Sequence, residues 1–255
     1  MITIREYLKV KTLQEAWTAN QKRSNRVLGG MGWMKMSSAN VASVIDLTDL
    51  HLDKIEETEE EFIIGAMVSL RQFETHEGLN QYFCNAPKES MRHIVGIQFR
   101  NCATMGGSVW LRPGFSDPLT LLLSLDSQVE LWVGKEESIF LPLADFCKQK
   151  RDNSILVAIH VKKDARKVAY QSFRNTETDF PVLTASVSKK DGIYRAAVGA
   201  RPALALAIEA DNVEELIKKA QELNYSSNIR ASADYRKMLA DVLIRRAVKE
   251  LEEEK

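Results

Sequence analysis

The stretch "FRNCATMGGSVWLRPGFSDP", residues 99–118, carries the glycine pair Gly106 and Gly107 just after Thr104 and ends in Asp117 and Pro118. Asp-Pro ahead of the apolar run "LTLLLSLD" is a helix-start signal, because proline in the first turn gives up no helical hydrogen bond. The residues before it show no apolar periodicity and read as a loop-rich segment. Paired glycines in such a segment admit close approach to the backbone, by a neighbouring turn of chain or by a phosphate group. Upstream, "RVLGGMGWMKM", residues 26–36, places Gly29, Gly30 and Gly32 together after a short strand-like stretch. This cluster fails the dinucleotide fingerprint GxGxxG, since Lys35 stands where the third glycine should permit helix–strand packing. Asp46, at the end of "SVID", is a candidate for the ribose-binding acid of that pattern. Two separate glycine turns fit another arrangement, in which backbone N–H groups hold a diphosphate from two sides without lysine or arginine.

The chain of 255 residues is long enough for one large or two smaller domains, and its 35 basic and 35 acidic residues cancel. That balance offers no footprint for nucleic acid or an anionic membrane. No apolar run reaches the roughly 20 residues of a membrane span, and "MITIREYLKVKT" lacks the core of a signal peptide, so a cytoplasmic location is expected. Cys84, Cys102 and Cys147 are scattered, and His51, His76, His93 and His160 fall in no metal-binding spacing. We expect no metal site and no catalytic side chain; a GxSxG elbow and a phosphate loop with its lysine are missing as well.

Thr12 and Glu15 have capping-box spacing before the helical pattern of "LQEAWTAN". "ASVIDLTDL" and "EFIIGAMVSL" read as strands around the acidic run "DKIEETEEE", and "LNQYFCNA" and "ESMRHIVG" as helices. "QVELWV" and "ESIFLP" read as strands. From about residue 154, "SILVAIHV", "KVAYQSF", "VLTASVS" and "GIYRAAVGA" read as a small antiparallel sheet, with a helical remainder that includes amphipathic "NVEELIKKAQELN". The polar segment "KKDARK" marks a boundary near residue 165.

"VLGGMGWMKM", "FRNCATMGGSVWLRPGFSDP", "DFPVLTASVS", "YRAAVGARP" and "IRASADYRKMLADVLIRRA" occur in an order and spacing that resembles the flavin-binding medium subunits of molybdenum hydroxylases, such as xanthine dehydrogenase and carbon monoxide dehydrogenase. The family's first turn resembles A-G-G-[ST]-[DNS]-L, occupied here by Leu28, Gly29, Gly30, Met31 and Gly32. The second resembles I-R-N-x-A-T-[IV]-G-G-N, occupied by Phe99, Arg100, Asn101, Ala103, Thr104, Met105, Gly106, Gly107 and Ser108. Met31, Gly32 and Ser108 replace polar residues of the family pattern.

The resemblance implies an α+β fold: a two-subdomain FAD-binding domain of the PCMH (vanillyl-alcohol oxidase-like) type over residues 1–165. A C-terminal domain over 166–255 would hold a three- to four-stranded antiparallel sheet and helices. It implies FAD as cofactor, with diphosphate contacts from the backbone at Leu28, Gly29, Gly30, Met31 and Gly32 on one side and from Ala103, Thr104, Gly106, Gly107 and Ser108 on the other. Asp117, thirteen residues after Thr104, would accept from a cofactor hydroxyl, or else cap the helix that it opens. Arg174 and Asp179 are candidates for the family's arginine and aspartate beside the flavin, Arg100 for a loop-fixing ion pair, and Tyr170 for a flavin neighbour or a core residue. The implied role is electron transfer, from the clusters of an iron–sulfur subunit to NAD or another acceptor. A large molybdenum cofactor-binding subunit would oxidise the substrate, a purine or aromatic heterocycle. A stand-alone flavin oxidoreductase of the same fold and a flavin-free scaffold are the alternatives.

Overall fold

The computed structural model describes residues 1–253. β1 (Thr3–Lys9), α1 (Leu13–Asn20), β2 (Arg26–Val27) and β3 (Asn40–Asp46) form a parallel unit with strand order β1-β3-β2. Thr12 caps α1 by accepting from the Glu15 N–H at 3.1 Å. The Glu15 carboxylate accepts from the Lys11 N–H instead of closing the capping box on Thr12. β1 is a strand where the sequence reading assigned no element: its residues are largely exposed, so no alternating apolar pattern marks it.

The middle of the chain supplies β4 (Ile55–Glu57), β5 (Glu61–Gly65) and a run of short helices: α2 (Leu70–Thr75), α3 (Glu77–Tyr82), α4 (Ala86–Met91), α5 (Ile97–Cys102) and α6 (Met105–Trp110). Then follow α7 (Asp117–Ser124), β6 (Gln128–Trp132), β7 (Ile139–Pro142), α8 (Leu143–Lys148) and β8 (Ile155–Lys162). The strands make an antiparallel sheet in the order β4-β5-β8-β6-β7. β8 lies at its centre and is apolar on both faces: Ile155 packs with the first sheet's core, Leu156, Ile159 and Val161 with the helices. The expectation that residues 155–162 belong with the C-terminal strands is thereby corrected. Residues 97–110, read as loop, form α5 and α6, each too short to display a helical period.

The third sheet runs β12-β11-β10-β9, from β9 (Lys167–Phe173), β10 (Leu183–Lys190), β11 (Ile193–Gly199) and β12 (Leu206–Ala210). α9 (Val213–Gln221) and α10 (Ala233–Glu253) cover it. β12 lies in the stretch read as helical. Alternation along β10 explains how the last sheet joins the rest. Leu183, Ala185 and Val187 enter the core under α10, while the buried hydroxyls Thr184, Ser186 and Ser188 meet α7. Thr184 bonds Thr120 at 3.0 Å, Ser186 bonds Ser124 at 2.7 Å, and Ser188 donates to the Ser124 carbonyl at 2.6 Å. Each hydroxyl buried there keeps a partner, so hydrogen bonds offset the cost of desolvating this polar seam.

Candidate functional site

Leaving β2, the Leu28 N–H donates to the Ile45 carbonyl at 2.8 Å, the last sheet bond on this strand. The next amide with a protein acceptor is that of Lys35, which donates to the Met31 carbonyl at 3.1 Å. Between them, among the described residues, the amides of Gly29, Gly30, Met31, Gly32, Trp33 and Met34 find no acceptor in the chain. Consecutive unspent amides of this kind form an anion-binding concavity. The left-handed backbone residue in it is Met31, at φ 55°, and none of the three glycines. The glycines serve close approach instead. A Cβ on Gly30 would stand 2.5 Å from the Cys102 carbonyl carbon and 2.7 Å from Ala103 Cα, and one on Gly29 3.1 Å from Thr104 Oγ1. The two glycine segments therefore touch, backbone against backbone.

The second segment is bound to residues 66–70. The Leu70 N–H donates to the Ala103 carbonyl, the Met105 N–H to Val68 and the Gly106 N–H to Ala66, each at 2.8 Å. Gly107 N–H donates to Thr104 Oγ1 at 3.1 Å, and the Ser108 N–H and hydroxyl both donate to the Thr104 carbonyl. The amides of Gly106, Gly107 and Ser108, expected to face a diphosphate, are bonded within the segment in this structure. Gly106 is glycine because a Cβ would meet the Ala66 carbonyl oxygen at 2.5 Å. Thr104, seated between Gly29 and Gly107, accepts from Gly107 and keeps its hydroxyl proton for another acceptor. Arg100 makes a buried two-pronged pair with Glu74, at 2.8 and 3.1 Å, and donates to the Ile94 carbonyl, which anchors the loop before α5.

Asp117 is the first residue of α7, but Ser116 is its cap, accepting from the Leu119 N–H at 3.2 Å. The Asp117 carboxylate is 4% exposed. Its Oδ1 accepts from the Tyr170 hydroxyl at 2.6 Å and from Arg174. The reading of Asp117 as the helix cap is corrected, since Ser116 holds that place, and its Oδ1 is taken up by donors of the protein. Burial pushes its carboxyl upward, against the charge of Arg174 and the Tyr170 hydrogen bond. Burial first and then the Asp117 charge raise the Tyr170 phenol well above its usual range, so the proton stays on tyrosine. Tyr170 is a core residue. Arg174 also donates to the Asp179 carbonyl at 2.7 Å, and its buried Nε has no partner among the described residues. Asp179 pairs with Arg230 at 2.8 Å. Asp46 accepts from the Thr48 N–H at 2.9 Å, from the Thr48 hydroxyl and from Tyr7.

Three rings missed by the sequence reading gather at this place. Trp33 lies 5.7 Å from Phe115 and 5.9 Å from Phe180, the latter at 21°, and Phe115 and Phe180 are 4.4 Å apart. Arg230 covers the Phe180 ring at 5.0 Å. Trp33 adjoins Gly32, Phe180 adjoins Asp179 and Phe115 stands two residues before Asp117, all residues already singled out, which was the available signal.

Residues 3–178 match the family described as the FAD binding domain in molybdopterin dehydrogenase. The chain belongs to that FAD-binding family. Solved structures share the fold of this FAD-binding chain over nearly its whole length. A chain of CO dehydrogenase from Oligotropha carboxidovorans is 19% identical with a TM-score of 0.85, covering 98% of each chain. One from Hydrogenophaga pseudoflava, of the enzyme lacking the Mo-pyranopterin moiety of its cofactor, is 20% identical with a TM-score of 0.83, again over 98% of each. A chain of quinoline 2-oxidoreductase from Pseudomonas putida 86 is 18% identical with a TM-score of 0.82, over 96% of each. Direct comparison with curated protein sequences gives no match.

FAD is the cofactor of this family, and the residues present fit it. The unspent amides of residues 29–34 and the Thr104 hydroxyl are a donor set for a diphosphate, and the aromatic cluster supplies an apolar surface beside them. Among the described residues no group of three or more His, Cys, Asp or Glu could hold a metal ion, and no helix is long and apolar enough to cross a membrane.

Proposed function

We propose that this chain is the electron-transfer subunit of a multisubunit molybdenum hydroxylase. In this reading the chain would hold the FAD through which electrons pass from the clusters of an iron–sulfur partner to NAD or another acceptor. Substrate is oxidised on the molybdenum cofactor of a large partner subunit. The observation that carries the proposal is the run of amides from Gly29 to Met34 without protein acceptors, in a chain belonging to an FAD-binding family. The fold shared with CO dehydrogenase and quinoline 2-oxidoreductase chains supports the assignment to a larger redox assembly.

The amides at 29–34 would hold the diphosphate, and the Thr104 hydroxyl, which accepts from Gly107, would have its proton free for the same group. Such donors stabilise an anion through fixed partial charges, without bringing a mobile cation into the site. Asp117, Tyr170 and Arg174 act by position: their shared contact ties α7 to β9 and to the segment that carries Phe180. Bound flavin supplies one- and two-electron chemistry, and the protein supplies binding and orientation.

Purification from the native host tests the reading. A yellow complex that releases FAD on denaturation and contains iron–sulfur and molybdenum subunits is the expected result. A colourless chain that ignores added FAD is a scaffold, and turnover of a small substrate by the isolated chain makes it a self-sufficient enzyme; either result refutes the proposal.

A further inference from the structure

We propose that Trp33 stacks on the flavin ring and is the residue that lets the site distinguish FAD from adenine nucleotides with the same diphosphate. The inference rests on the FAD reading of residues 29–34 and assigns a side chain to the ring that the backbone run leaves unaddressed. Backbone amides recognise a diphosphate regardless of what it carries, so discrimination needs a side chain that meets the ring.

Trp33 belongs to the amide run itself, so its indole departs directly from the diphosphate-binding backbone. The ring is 47% exposed, yet it is held against Phe115 and Phe180 from two other parts of the chain. A large half-exposed indole already in near-parallel contact at 21° is a built stacking surface. A polar group lies next to the cluster in sequence. Arg174 reaches the Asp179 carbonyl, next to Phe180, and keeps its buried Nε donor unpartnered.

The test uses the full chain titrated with FAD and, separately, with ADP, reading dissociation constants and flavin fluorescence. For Trp33→Ala we expect FAD binding weakened roughly tenfold and bound-flavin fluorescence restored, with ADP binding unchanged. Trp33→Phe should recover most of the FAD affinity, which separates the loss of a ring from damage to the turn. Trp33→Ala that holds FAD within about twofold of wild type overturns the proposal. Equal loss of FAD and ADP overturns it too, by placing the effect on the backbone or on the adenine that both ligands carry. A wild-type chain that takes up no FAD instead overturns the cofactor reading, and this inference with it.

Discussion

Gly30→Ala tests whether the first glycine segment is small because the second lies against it. The new Cβ would stand 2.5 Å from the Cys102 carbonyl carbon and 2.7 Å from Ala103 Cα, and nearer still to the carbonyl oxygen, where ordinary contact begins at 3.4 Å. Every obstructing atom is backbone, and the Ala103 and Cys102 segment is fixed by bonds to Leu70 and Val68 on its far side. No rotamer change relieves the overlap, so the two backbones must part by about 1 Å, at a cost near the upper end of overpacking, about 3 kcal/mol. For a chain of this size that lowers Tm by about 6–12 °C. Gly29→Ala is the control: its Cβ meets only Thr104 Oγ1, at 3.1 Å, the end of a side chain that can shift. We expect it to cost less than about 1 kcal/mol. The assay is thermal unfolding of both variants beside a measurement of FAD retention. Equal Tm values for the two, or an unchanged Gly30→Ala, would refute the close-approach argument.

Met31→Gly should stabilise the chain by about 0.5 kcal/mol, the gain from a left-handed φ of 55° less the added unfolded-state entropy of glycine. Urea denaturation checks it, and a loss of more than about 1 kcal/mol would contradict it. Glu74→Ala strands the buried Arg100 guanidinium and should cost about 3–5 kcal/mol, read as a lower denaturation midpoint; a loss below about 1 kcal/mol would show the pair to be dispensable. His160, between Glu61 at 3.2 Å and Glu130 at 3.3 Å, gives a pH dependence. Burial works to lower its pKa, but the hydrogen bonds and charges of Glu130 and Glu61 prevail and raise it above 6.5. The folded chain thus binds this proton more tightly than the unfolded chain. The stabilisation is complete below pH 6.5 and fades as pH rises through the raised value. His160→Gln should flatten that part of the stability–pH curve; an unchanged slope would assign it elsewhere.

Long or strongly patterned elements were legible in the sequence: α1 from Thr12 and its apolar spacing, α7 from Asp-Pro and the run that follows, and β8 to β11 from β-rich stretches. α5 and α6 were not, because six residues are too few for a period to show. At the site, the glycine clusters pointed to close approach, but which amides remain open depends on residues 66–70, whose carbonyls consume those of Met105 and Gly106. Local sequence carries no trace of that pairing. The same holds for Asp117, whose partners Tyr170 and Arg174 come from β9 and the segment after it. The chain's neutral composition and missing catalytic motifs agree with a site made of backbone donors, a type of site that composition does not register.

The most direct test of the central claim follows the backbone amides themselves while FAD is added, by nuclear magnetic resonance on the isotope-labelled chain with hydrogen exchange in parallel. The amides of Gly29 to Met34 should shift and become protected, whereas those of Met105, Gly106 and Ser108, already bonded within the protein, should change little. Shifts concentrated at Gly106 and Ser108 with residues 29–34 unmoved would contradict it.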